Sequence, residues 1–136
     1  MNLFKKICVA IGLTVIASGC GTQFGGVYSG TWSGTLAGTA ITATTFQMTA
    51  YTSGSTFTGN WTATGTGQPI SGTLTGTTSG STLTISAFTI PANSPIGAGT
   101  YTGTLTLTSN QLTGSITGTA TSGTSSSVVL SLTQSR

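Results

Sequence analysis

From Val27 onward, threonine or serine fills nearly every second position, and the residues between are apolar or glycine. Tyr28-Ser29-Gly30-Thr31-Trp32-Ser33-Gly34-Thr35-Leu36 shows the rule, with hydroxyls at odd numbers and aromatic, aliphatic or glycine residues at even ones. A period of two is the repeat of an extended strand with one buried and one wetted face. β-Branched Thr and interior Gly both work against a helix. Such runs lie at about 28–36, 39–51, 56–66, 69–78, 82–90, 100–108, 111–121 and 127–134. Between them fall turn signals at Ser53-Gly54, Gly67-Gln68-Pro69, Ser79-Gly80, Ser109-Asn110 and Ser122-Gly123. The expected fold is all-β, an antiparallel up-and-down meander of eight strands.

An internal repeat supports that count. Phe57-Thr58-Gly59-Asn60-Trp61 matches Tyr101-Thr102-Gly103-Thr104-Leu105. Ile70-Ser71-Gly72-Thr73-Leu74-Thr75-Gly76 matches Leu112-Thr113-Gly114-Ser115-Ile116-Thr117-Gly118. Residues 56–90 and 100–134 therefore read as two copies of a three-strand unit, and Tyr28-Ser29-Gly30-Thr31-Trp32 repeats its opening.

Charge decides what such a sheet does with its edges. The chain has 3 Lys and Arg, no Asp or Glu and no His, while 33 Thr, 18 Ser and 21 Gly make up more than half of its 136 residues. Open edges on uncharged, Thr-rich strands invite edge-to-edge pairing, which natural sheets block with Lys, Glu or Pro. Closure into a barrel removes the edges, and about eight strands give an interior that side chains fill or that holds one small ligand. The glycines, Gly30, Gly72, Gly103 and Gly114 among them, share the face of the aromatics, so large and small residues alternate inside.

Two of the three cations, Lys5 and Lys6, precede an apolar run from Ile7 to Ile16. That run is too short for a spanning helix, which needs roughly twenty residues. A basic start, a short apolar centre and small residues are the pattern of a secretory signal peptide. The segment ends in Ala17-Ser18-Gly19-Cys20, which resembles the lipobox of bacterial lipoproteins. The resemblance implies cleavage between Gly19 and Cys20, a diacylglycerol on the Cys20 thiol and an acylated amino terminus. The other cysteine, Cys8, lies in the segment that would be removed, so Cys20 has no disulfide partner within the mature chain. By resemblance to the sorting rule of Gram-negative lipoproteins, Gly21 directs the protein to the outer membrane. The organisation expected is a signal peptide over 1–19, lipidated Cys20 with a short flexible tether through residue 26, and a β-barrel domain over 27–136.

Gly30-Thr31-Trp32 resembles the Gly-x-Trp opening of the lipocalin and avidin-like barrels. The resemblance implies a small apolar ligand in the barrel mouth, with Trp32, Trp61, Tyr28 and Tyr101 as candidate contacts. Read on their own, Trp32 and Trp61 are core fillers, since aromatics dominate cores.

Catalysis has little to work with. A serine or threonine nucleophile needs a base, and after removal of the signal the chain has no His, Asp, Glu or Lys. Metal ligands are missing once Cys20 is acylated, and no cofactor is implied. The glycines alternate in strand register, not in a loop leading to a helix, so no phosphate cradle forms. With one basic residue, Arg136, in the mature chain, nucleic acid is not an expected partner; the membrane, through the acyl chains, is. The reading is a non-enzymatic, lipid-anchored envelope protein with a structural or binding role, or a carrier of a small apolar ligand. Two further readings are ice binding or surface adhesion by threonine arrays such as Thr100-x-Thr102-x-Thr104-x-Thr106-x-Thr108, and a transmembrane barrel with its apolar face turned to lipid.

Overall fold

A computed structural model describes residues 24–64, 69–92, 94 and 98–135. Gly19, Cys20 and the rest of segment 1–23 lie outside the described residues. Eight strands follow in order: β1 (Gly26–Leu36), β2 (Thr39–Ser53), β3 (Thr56–Ala63), β4 (Ile70–Ser79), β5 (Thr82–Ile90), β6 (Gly99–Thr108), β7 (Gln111–Thr119) and β8 (Ser125–Ser135). Each pairs antiparallel with the next, and β1 pairs with β8 from Val27↔Ser135 to Thr35↔Ser127, so the meander is a closed barrel.

The period of two sorts the side chains. β3 alternates without exception, with Phe57, Gly59, Trp61 and Ala63 buried and their neighbours exposed. β8 buries Ser126, Val128, Leu130, Leu132 and Gln134 in the same way. Outside, hydroxyls meet hydroxyls across the strands, as at Thr77↔Thr84, Thr84↔Thr104, Thr106↔Thr113 and Thr102↔Thr117. Apolar residues inside and hydroxyls outside reverse the arrangement a transmembrane barrel requires, which corrects the inverted-barrel reading. The cause is the interior itself, which aromatic rings occupy, Trp32 reaching Phe88 from the opposite wall.

Two strands carry one extra residue each. In β2 the ladder slips between Ile41, opposite Gly34, and Thr44, opposite Trp32. In β5 it slips between Ile85, opposite Gly103, and Phe88, opposite Tyr101. A single inserted residue moves the following side chains to the other face. Hence Leu83 and Ile85 point inward at odd numbers while Phe88 and Ile90 do so at even ones.

The internal repeat survives as register. Across β3 and β4 the inward pairs include Trp61↔Gly72, Gly59↔Leu74 and Phe57↔Gly76. Across β6 and β7, Leu105↔Gly114 and Gly103↔Ile116 repeat the pattern of a large residue over a glycine. Gly30 faces Phe46 on one side and Leu132 on the other. These glycines bring backbones close: a Cβ on Gly30 would strike the Ser131 carbonyl, one on Gly103 that of Ser115, and one on Gly114 that of Thr104.

The two ends of the barrel differ. At what we call the near end lie the start of β1, the end of β8 and three two-residue turns, Gly54-Ser55, Gly80-Ser81 and Ser109-Asn110. At the far end lie the Ala37-Gly38 turn and the longer connections β3–β4, β5–β6 and β7–β8. The tether expected through residue 26 ends sooner than that. Gly26 begins β1, and Phe24 is buried at the near end.

Candidate functional site

The interior aromatics supply the candidate site, and its four sequence-assigned members separate. Trp32 on β1 and Trp61 on β3 come together, with ring centroids 5.7 Å apart. Tyr28 and Tyr101 lie toward opposite ends, Tyr28 two residues into β1 at the near end and Tyr101 two residues into β6 at the far end. A three-strand unit repeated in an antiparallel meander must reverse its direction. The first aromatics of successive copies, Phe57 and Tyr101, therefore cannot share an end.

Phe46 and Phe88 complete the cluster around the two tryptophans. Trp61 stacks on Phe88 at 4.8 Å and 11°, and on Phe46 at 5.4 Å and 17°. Trp32 lies tilted against Phe46 at 5.6 Å and against Phe88 at 6.5 Å. β1 and β5 stand on opposite walls of the eight-stranded ring, so the Trp32–Phe88 contact spans the lumen. Each such ring pair adds about 0.5–1.5 kcal/mol beyond the area it buries. The period-two phase singles out Phe46, whereas the insertion in β5 hides Phe88 from a simple count.

The polar ends of the two indoles differ. Trp61 Nε1 donates to the Thr73 carbonyl at 3.3 Å, across the β3–β4 ladder. Trp32 Nε1 is buried without a hydrogen-bond partner among the described residues. Leaving such a donor unpaired costs about 1–3 kcal/mol, which the surrounding ring contacts offset.

A second group, absent from the sequence reading, closes the near end. Phe24, 2% exposed, packs edge-on against Phe57 with centroids 6.2 Å apart at 89°. The Tyr28 hydroxyl donates to the Phe24 carbonyl at 2.6 Å, and Gln134 Nε2 donates to the Gly25 carbonyl at 2.8 Å. The Gln134 backbone N–H donates to the Asn110 carbonyl at 2.7 Å, tying this latch to the β6–β7 turn. Its sequence signal is thin: one aromatic between Gln23 and a glycine pair, with no periodic partner.

Outside, Thr100, Thr102, Thr104, Thr106 and Thr108 are all exposed along β6. They lie on a barrel wall, whose strands twist and tilt, so the row is not a flat lattice. No protein-family model matches the chain, and no curated protein and no solved structure matches it either.

Proposed function

We propose that this protein is a lipid-anchored component of the bacterial cell envelope, held by acyl chains on Cys20 at the outer membrane, with a non-enzymatic structural or binding role exerted through its outer surface. The observation that favours a surface role over a carrier's is the Trp32–Phe88 contact across the lumen; the anchor itself rests on the sequence Ala17-Ser18-Gly19-Cys20. With the interior occupied by its own side chains, what remains to present is an uncharged wall of Thr and Ser and the anchor implied by Ala17-Ser18-Gly19-Cys20. The test is to express the full chain and its Cys20→Ser variant with labelled palmitate. The parent takes up label and sediments with membranes, and the variant does neither; label in the variant overturns the reading.

The carrier alternative has one observation in its favour, the unpartnered Trp32 Nε1 inside the aromatic cluster. A small apolar ligand with one hydrogen-bond acceptor would satisfy that donor if Phe88 swung aside. Titrating such compounds while following tryptophan fluorescence tests it, and an unchanged spectrum across the series removes it.

A further inference from the structure

We infer that the barrel stands on the bilayer with its near end down, the rim around Val27 and Tyr51 resting on the lipid headgroups. This rests on the lipidation of Cys20 proposed above and adds an orientation to it. The chain does not swing freely from the lipid, because Phe24 is buried in the near end and its carbonyl and that of Gly25 are both hydrogen-bonded there. Only four residue steps separate Phe24 from Cys20, a reach of at most ~14 Å for fully extended chain. Strands of 10 residues, such as β4 and β6, tilted as in barrels of this size, set the two ends roughly 25 Å apart. Standing on the far end would require the tether to run the length of the wall, nearly twice its reach.

The outer surface then chooses between end-on and side-on. Among the described residues, the exposed large apolar side chains are Val27 (50%), Tyr51 (58%) and Val129 (52%). Val27 and Tyr51 belong to the near rim: Val27 pairs with Thr49, two residues before Tyr51, so the two are diagonal neighbours on the outer face. Val129 sits alone partway up β8, opposite Ser33 and Ser115. A tyrosine ring with an apolar body and a polar tip suits the membrane–water interface. The rest of the wall, Thr and Ser, gains nothing from lipid, and the near-end turns Gly54-Ser55, Gly80-Ser81 and Ser109-Asn110 carry no charge to be desolvated.

The experiment uses the acylated full chain in phosphatidylcholine vesicles containing headgroup-nitroxide lipid. Single-cysteine variants Ser55→Cys and Ser81→Cys report the near end and Ser122→Cys the far end, each carrying a fluorophore. The expected result is quenching severalfold stronger at 55 and 81 than at 122, with the difference reduced in the Val27→Thr/Tyr51→Thr background. Equal quenching at both ends, or stronger quenching at 122, overturns the orientation while leaving the anchor intact. Failure of the protein to float with vesicles or to carry labelled palmitate overturns the anchor, and the orientation with it.

Discussion

At Gly103 a methyl group would meet the carbonyl oxygen of Ser115 on the neighbouring strand, and at Gly114 that of Thr104. Neither clash involves a flexible side chain that could turn away, so a Cβ must push two backbones apart. Gly103→Ala should therefore destabilise the barrel by about 3 kcal/mol, at the upper end of ordinary overpacking, seen as a lower urea midpoint. The turns call for the opposite change. Ser109 holds φ at +59° and Ala37 at +49°, in the left-handed region, whereas Gly54 and Gly80 occupy the equivalent first turn position at +59° with no Cβ to crowd. Left-handed backbone costs a non-glycine residue roughly 1–2 kcal/mol. Ser109→Gly should recover about 1 kcal/mol of this, the remainder being lost to the greater freedom of glycine in the unfolded chain. A midpoint that fell instead would mean that the Ser109 side chain makes a compensating contact. Both kinds of position were visible in the sequence as glycine or Ser-Asn, but their roles were not, because the letter alone does not give the approach of the next strand.

Among the elements, the strands were the most legible and the connection into β1 the least. Alternation marked all eight strands because one face of each is dry and the other wet, and the boundaries moved by only a few residues, as where β3 ends at Ala63 and not at residue 66. The alternation could not show the extra residues in β2 and β5, since a skipped beat in a Thr-rich run reads as one more small residue. Nor did it show that the three-strand copies run in opposite directions, which puts Phe57 and Tyr101, the first aromatics of each, at opposite ends. Phe24 was read as tether because its ring packs on Phe57, 33 residues on, and its neighbour Gly25 is held by Gln134, neither of which a local pattern shows. If the latch is part of the fold, Phe24→Ala in a chain starting after Cys20 should cost about 3 kcal/mol, the scale for emptying a buried phenylalanine site. Tyr28→Phe should cost about 1 kcal/mol through the lost hydrogen bond. Denaturation curves of the two variants check both figures. A change under about 0.5 kcal/mol for Phe24→Ala is what a surface residue gives, and it would detach the latch from the barrel.

For the molecule as a whole, the missing charges govern behaviour in solution. Stability depends on pH only where the folded and unfolded chains bind different numbers of protons. Asp and Glu number zero and His zero, so from about pH 4 to pH 8 no side chain of residues 21–136 has an ordinary pKa to cross. Folded and unfolded forms then bind the same number of side-chain protons, and the slope is zero. The expected outcome is a urea midpoint that stays constant across this range in a chain beginning after Cys20. For the same reason the midpoint should be insensitive to sodium chloride at moderate concentration, since residues 21–136 hold no acidic side chain to pair with Arg136. Solubility is the counterpart: with almost no net charge to keep copies apart, the untethered barrel should precipitate at concentrations where charged domains of its size stay dissolved. Light scattering against concentration measures that tendency. A Thr84→Lys/Thr104→Lys double variant, on neighbouring strands of the hydroxyl wall, would separate its causes, because added charge there should raise solubility without touching the interior.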